Sequence, residues 1–342
     1  MARIVFLDRG RPFDGRSLAV GPLGGIESAT VQLAEALAAR GHEVVACTNV
    51  DRASEWNGVH WRPLAEAAAS GAADLAVANA EPRLLDAVAA RRTAVWLHNP
   101  ATLWKLVRTG RLPAVARLRP DAVLLGRYHA GTLSSLVPFR RRHLIPHGVG
   151  EPFVSAPAAE GVPPPRALFT SMPYRGLADM VRLWRDRIRP AVPAAELHAY
   201  CLPPDPGPAG GGRLELGLRP AELAAAGIVL HPRASKAALA AALRGARVLL
   251  CPGHRDETFC LAAAEALAMG VPVATRGIGA LRERVVDGET GVLARDDAGF
   301  AAGVLRLLAD DAVWRRRHMA ALATRADASW GGRAALWEAA FL

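Results

Sequence analysis

Cysteine is scarce in this chain of 342 residues: Cys47, Cys201, Cys251 and Cys260 stand apart, with no CxxC pair and no His/Cys group at zinc-ligand spacing. That excludes a disulfide scaffold and a structural zinc module, and free thiols in a reducing cytoplasm fit best. No apolar run approaches the roughly 20 residues that span a bilayer, and the chain opens directly on the strand-like MARIVFLD, so neither a membrane span nor a signal peptide is expected. A Gly-x-Gly-x-x-Gly after the first strand is missing, which disfavours a nicotinamide enzyme. There is no Asp-x-Asp triplet to hold a metal ion and no internal repeat. Lysine occurs only twice, so almost all of the basic charge is arginine.

What is present is a 51% hydrophobic composition, enough for two substantial cores, and a net charge of +10. The charge is uneven. Residues 91–142 hold eleven Lys and Arg against a single acid, Asp121, interleaved with Leu103, Trp104, Leu106, Val107, Leu112 and Leu118. A basic face mixed with Trp and Leu suits an anionic membrane surface or an acidic acceptor, and equally a solvated face in an arginine-rich chain. No nucleic-acid partner is expected.

Apolar runs and helical periods alternate from the start, the pattern of doubly wound parallel α/β sheets. RIVFLD leads through a GPLGGIE loop into an amphipathic helix, SATVQLAEALAARG, and the strand EVVACT; AVWLHN, DAVLLG and HLIPHGVG follow. The Pro- and Ala-rich residues 154–165 read as a linker after a first domain of 1–153, and ALFTS restarts the alternation in a second domain of 166–325. The segment 202–212, LPPDPGPAGGG, reads as a surface excursion. His42 and His198 read as surface residues.

The most informative stretch begins with the buried strand ARVLLCPG. TFCLAAAEALAMG then reads as a helix with Thr258 as N-cap, and VPVAT as the next parallel strand. In such a unit the helix N-terminus opens at the carboxyl edge of the sheet, where free N–H groups and the dipole favour a phosphate. Glu257 falls in the turn beside that point and Glu265 about two turns along the helix. Two carboxylates flanking a phosphate cradle suit sugar hydroxyls, although two glutamates eight apart also occur by chance.

The pattern Glu-x-Phe-x-Leu-x-x-x-Glu-Ala-x-Ala-x-Gly-x-Pro-Val, followed by a glycine-rich turn and GETG, resembles the C-terminal half of the family 4 retaining glycosyltransferases, also termed glycosyl transferases group 1. The resemblance implies a GT-B fold, two Rossmann-like doubly wound parallel-sheet domains facing a central cleft, with a terminal helix, 326–342, crossing back to the first domain. It implies that Glu257 touches the donor sugar, Glu265 the ribose, and the amides of Phe259, Cys260 and Leu261 the diphosphate. Cys260 stands where the family often has Gly; it reads as a small buried hydrophobe in preference to a reactive thiol.

Other positions follow on the same basis. Gly24-Gly25 lies between a strand and a helix, where backbone can approach a phosphate or simply turn, and GGIE resembles the family's N-terminal glycine loop. Ser171 and Arg175 in FTSMPYRG resemble its phosphate-binding segment, with Arg175-Gly176 in place of Lys-Gly and the upstream Arg missing. His98 stands where the family keeps a histidine near the reacting sugar, and His147 where it usually has Asn before Gly. Pro232, Arg233 and Ser235 are the local candidates for base contacts.

The activity implied is retaining, metal-independent transfer of a sugar from a nucleotide-diphosphate donor, UDP- or GDP-linked, to a hydroxyl acceptor. That acceptor would be a glycan, a lipopolysaccharide or lipid-linked group, or an exopolysaccharide. Glu257, His98 and Arg175 would serve the reaction, and no cofactor is needed beyond the donor. A cytoplasmic protein, able to rest on the inner membrane face, is expected. The rivals are a nucleotide-sugar epimerase or hydrolase of similar fold, which turns over donor alone, and a non-catalytic nucleotide-sugar-binding protein.

Overall fold

The computed structural model describes residues 1–202 and 218–342. Most of the expected surface excursion, from residue 203 on, lies outside them. The chain divides into two compact units, one of Met1–Gly148 with Ser329–Leu342, the other of Val149–Ala328.

The first unit holds an eight-stranded sheet. Its strands are β1 (Arg3–Leu7), β2 (Glu43–Thr48), β3 (Ser54–Trp56), β4 (Val59–Pro63), β5 (Ala73–Asn79), β6 (Ala90–Trp96), β7 (Asp121–Leu124) and β8 (Arg142–Leu144). Their spatial order is β3-β4-β2-β1-β5-β6-β7-β8, parallel throughout apart from the β3–β4 hairpin. Ile4, Val5, Phe6 and Leu7 are all almost fully buried, as expected for a central parallel strand covered on both faces.

The final helix, Trp330–Phe341, belongs to this unit. Ser329 caps it by accepting from the Gly332 amide at 3.2 Å. Trp337 is 1% exposed, with its ring centroid 5.3 Å from that of Trp96. On the other flank the Glu338 carboxylate takes a forked pair of bonds from Arg40, both at 2.6 Å, and lies 2.9 Å from His42 Nε2. The Arg40 bonds, with His42, pull the Glu338 carboxyl down to about 2. His42 is therefore no surface residue: it packs under the terminal helix. Trp337→Ala leaves a large cavity at this seam, and urea unfolding should show a loss of about 3–5 kcal/mol.

The second unit carries a six-stranded, all-parallel sheet: β9 (Arg166–Phe169), β10 (Glu196–Leu202), β11 (Ile228–Pro232), β12 (Val248–Leu250), β13 (Val273–Thr275) and β14 (Gly291–Leu293). The order is β11-β10-β9-β12-β13-β14. Successive side chains enter opposite cores, Ala167, Phe169, Val248 and Leu250 one, Leu168, Leu249 and Val273 the other. Phe153 and Ala156 lie in the latter core, so the stretch around the expected linker is partly packed. In each sheet the connections reverse direction beside the first strand, between β1 and β5 and between β9 and β12. The carboxyl edge at such a reversal is where open α/β sheets bind ligands.

Candidate functional site

In the second unit the loops leaving β9 and β12 converge. After Phe169 the chain passes Ser171 into a short turn, Pro173–Arg175, and reverses at Gly176 with φ +104°. A Cβ there would stand 2.9 Å from the Pro252 ring, so glycine permits both the conformation and the close approach. The convergence delivers Arg175 to Glu257, and the two form an ion pair whose side chains are mostly buried. The second Glu257 oxygen accepts from the Cys260 amide at 3.1 Å. Its main-chain carbonyl accepts from Ala280 at 2.8 Å, which ties the turn to the glycine-rich segment 276–279.

The helix expected from Thr258 begins at Leu261 and runs to Ala268, with Cys260 as its N-cap at φ +67°. Thr258 is buried and stands two residues before the left-handed Cys260 that takes the N-cap position. Glu265 is consequently about one turn into the helix, not two. It forms an ion pair with Lys236, whose ammonium stands 5.7 Å from the Phe153 ring centroid. Each glutamate thus has its own cation, Arg175 for Glu257 and Lys236 for Glu265.

The remaining second-unit candidates are placed as follows. Leu261 is the first residue of the helix. Phe259 is buried beneath Arg284, whose guanidinium stands 4.1 Å from the ring centroid. Cys260 is buried with its sulfur 3.5 Å from Cys251; that bond and burial push the Cys260 thiol well above its ordinary range, so it is held protonated and is no nucleophile. The Cys251 thiol is lowered by its bond to Cys260 and by the Ser171 hydroxyl beside it. Arg233 is exposed after β11, its amide donating to Leu202 at 2.9 Å. Ser235 caps the Lys236–Arg244 helix. His198 is not at the surface as expected; it stacks on His231 at 5.0 Å and bonds Glu196 at 3.1 Å.

In the first unit the carboxyl edge beside β1 and β5 carries a polar network. Asn79, the last residue of β5, donates to Asp8 and to Thr30, both at 2.8 Å, and its carbonyl oxygen lies 3.1 Å from His98 Nε2. Burial raises the Asp8 carboxyl above its usual value. His98 packs against Trp96 at 4.7 Å and stacks on a nearly parallel His147 at 5.4 Å. Gly24 caps the Gly25–Ala39 helix in an extended conformation, with the Glu27 carboxylate folded back over it and held by Arg11 at 3.5 Å.

Burial, with the charge of His129, depresses His98 to about 3, and burial depresses His129 to about 4. Between these values and about 6.5 the unfolded chain binds protons that the folded chain refuses, so stability rises with pH across that window and levels off above it. Urea midpoints taken from pH 4 to 7 should show this slope, and His98→Asn should flatten it.

Sequence reasoning did not single out Asp8, Asn79 or Lys236 as site residues. The signals for them are a polar residue closing an apolar strand, in ADLAVAN as in RIVFLD, and one of only two lysines in the chain.

Residues 168–310 match the family model described as Glycosyl transferases group 1. A D-inositol 3-phosphate glycosyltransferase of Thermomonospora curvata is 41% identical over 125 residues, covering 35% of this chain and 28% of that protein. A glycogen synthase of Mycobacterium tuberculosis is 46% identical over 85 residues, covering 24% and 20%. The match thus spans between a fifth and little more than a quarter of the length of these curated relatives. Among solved structures, sucrose-phosphate synthase from Thermosynechococcus elongatus superposes with a TM-score of 0.75 at 18% identity, over 100% of this chain and 98% of that one. Anabaena HepE in complex with UDP-glucose gives 0.69 at 14% identity, over 99% and 100%. These likenesses establish the GT-B fold, with its two parallel-sheet α/β domains.

Proposed function

Taking the second unit as a glycosyl transferases group 1 domain, we propose that the protein transfers a sugar from a nucleotide-diphosphate donor to a hydroxyl acceptor, with retention at the anomeric carbon and without a metal ion. The observation that carries this is the pair of cation-bound glutamates, Arg175–Glu257 and Lys236–Glu265, on the carboxyl edge of a doubly wound sheet at its reversal point.

The donor's hydroxyls would replace Arg175 and Lys236 as partners of the two carboxylates, Glu257 at the hexose and Glu265 at the ribose. Arg175, so released, and the helix N-terminus at Leu261 would meet the negative charge that grows on the leaving diphosphate. The amide of Cys260, now bonded to Glu257, is the cradle's third element. Cys260, whose thiol is pushed up by Cys251 and burial, is not offered as a nucleophile, and the leaving phosphate would take the acceptor proton. In the first unit, neutral His98, fixed by Asn79, is offered as a hydrogen-bond partner to an acceptor hydroxyl, and the Gly24-Gly25 amides as partners for a phosphate group.

We also assign the acceptor to a membrane-borne or polymeric glycan. On the Leu103–Arg108 helix, Trp104 and Val107 are 72% and 48% exposed beside Lys105 and Arg108, a composition suited to an anionic lipid surface. No helix among the described residues is long and apolar enough to cross a membrane. The protein should sediment with anionic vesicles at low salt and be released at high salt.

The test of the reaction is nucleoside diphosphate release from UDP- and GDP-sugars in EDTA, with and without an acceptor panel, followed by proton NMR of the product. Acceptor-dependent release with the donor's anomeric configuration preserved supports the reading. Release without acceptor favours a hydrolase, and binding without turnover a non-catalytic protein.

A further inference from the structure

One buried carboxylate in the first unit gathers more positive charge than its neutralisation requires. Glu81 follows Ala80, a non-glycine residue in the left-handed region at φ +54°, just past the carboxyl end of β5. Such a conformation is held only where its surroundings demand it. It turns Glu81 inward, leaving its side chain 4% exposed.

Three arginines from three separate segments reach it. Arg83 grips it through a fork at 2.7 and 2.8 Å, Arg111 donates at 3.2 Å, and Arg9, from the loop after β1, stands at 4.0 Å. Burial alone would raise Glu81, but the Arg83 and Arg111 bonds outweigh it and hold the carboxyl below its usual range. A single fork would satisfy a buried carboxylate. The other guanidiniums leave a surplus of two positive charges, and Arg9 and Arg83 remain 58% and 49% exposed. Two acids of the same unit are already engaged: Asp8 accepts from Asn79 and the Gly10 amide, and Glu27 is paired with Arg11.

We infer that Arg83 and Arg111, pre-organised on Glu81, form with the neighbouring Arg9 a binding site for a phosphate group at the carboxyl edge of the first sheet. Guanidiniums arriving from three segments suit the outer oxygens of a tetrahedral phosphate, whereas a carboxylate is satisfied by one fork or two. Glu81 fixes Arg83 and Arg111 before the ligand arrives and so lowers the ordering cost of binding. On the reading of the protein as a glycosyltransferase, the group held here would be a phosphate carried by a substrate, whether a soluble phosphorylated sugar or a phospholipid.

The test titrates the full chain carrying Arg175→Gln, which weakens phosphate binding in the second unit, with inorganic phosphate by phosphorus NMR at constant ionic strength. Saturable binding should persist in that background. It should weaken about tenfold or more in Arg83→Gln/Arg111→Gln, and also in Arg83→Lys/Arg111→Lys, which keeps the charge and loses the forks. Should the glutamine pair not fold, the lysine pair alone decides. Acetate at equal concentration should not compete. Displacement by glucose 1-phosphate supports the site with a soluble source, and displacement by phosphatidic acid vesicles supports it with a lipid one. Equal phosphate affinity in the parent and the lysine pair, competition by acetate, or displacement by neither phosphate compound overturns the inference. UDP binding, measured separately on the wild type, reports on the donor reading and does not enter this result.

Discussion

Glu257→Gln should lower the transfer rate by about 10²- to 10³-fold, the cost of removing one pre-organised electrostatic contact to a transition state. The substitution keeps the size of the side chain and a carbonyl oxygen for the Cys260 amide, so the helix N-terminus stays in place. It removes the negative charge that Arg175 now balances and that the developing positive charge on the sugar would require. Glu257→Ala should be at least as inactive, and it also frees Arg175 and the Cys260 amide together. Measured by nucleoside diphosphate release, a glutamine variant with wild-type kcat would remove Glu257 from the reaction. A drop in kcat with little change in donor KM is the outcome the geometry favours.

Gly279→Ala should produce the second large effect, and it begins in the backbone. Gly279 has φ +70°, and a Cβ placed there would stand 2.5 Å from the His254 carbonyl oxygen and 2.7 Å from that of Glu257. The left-handed conformation alone costs an L-residue about 1–2 kcal/mol. Neither carbonyl can swing away as a side-chain tip could, so the loop carrying Glu257 must shift. Because that loop presents Glu257 to Arg175 and to the Cys260 amide, a displacement of a few tenths of an ångström should reach donor binding. Calorimetry should show weakened nucleotide affinity along with a lowered melting temperature. Unchanged affinity would mean that the glycine-rich turn does not set the position of Glu257.

Much of the fold was legible because its strands are buried on both faces. RIVFLD and EVVACT read as strands from apolar content alone, and they pair in register from Arg3 and Glu43 to Leu7 and Cys47. The β3–β4 hairpin went unread although Asn57-Gly58, both at positive φ, is the strongest short hairpin signal a sequence carries. The start of the Leu261–Ala268 helix was misplaced because Thr258 is a better N-cap by residue type than Cys260. A left-handed cysteine between two packed loops is a tertiary outcome that local propensity does not encode.

The site divides in the same way. Arg175 and Glu257 were visible from their motifs, but their ion pair depends on two loops 82 positions apart meeting at Gly176 and Pro252. Glu265 was visible and Lys236 was not, since a lone lysine on an Ala-rich helix has no local pattern to mark it. Ala80 and Glu81 were equally hidden: nothing in NAEPRL announces a left-handed alanine or a buried carboxylate shared by three arginines.

The most direct test of the central claim is calorimetric titration of the wild type and of Glu265→Gln with UDP, GDP, ADP and dTDP in EDTA. We expect one nucleoside diphosphate to bind the wild type at one site per chain, and Glu265→Gln to weaken it about tenfold or more through loss of a charge-assisted bond to the ribose. Binding of none of the four, or equal binding by Glu265→Gln, would contradict the assignment of the paired glutamates to a nucleotide-sugar donor.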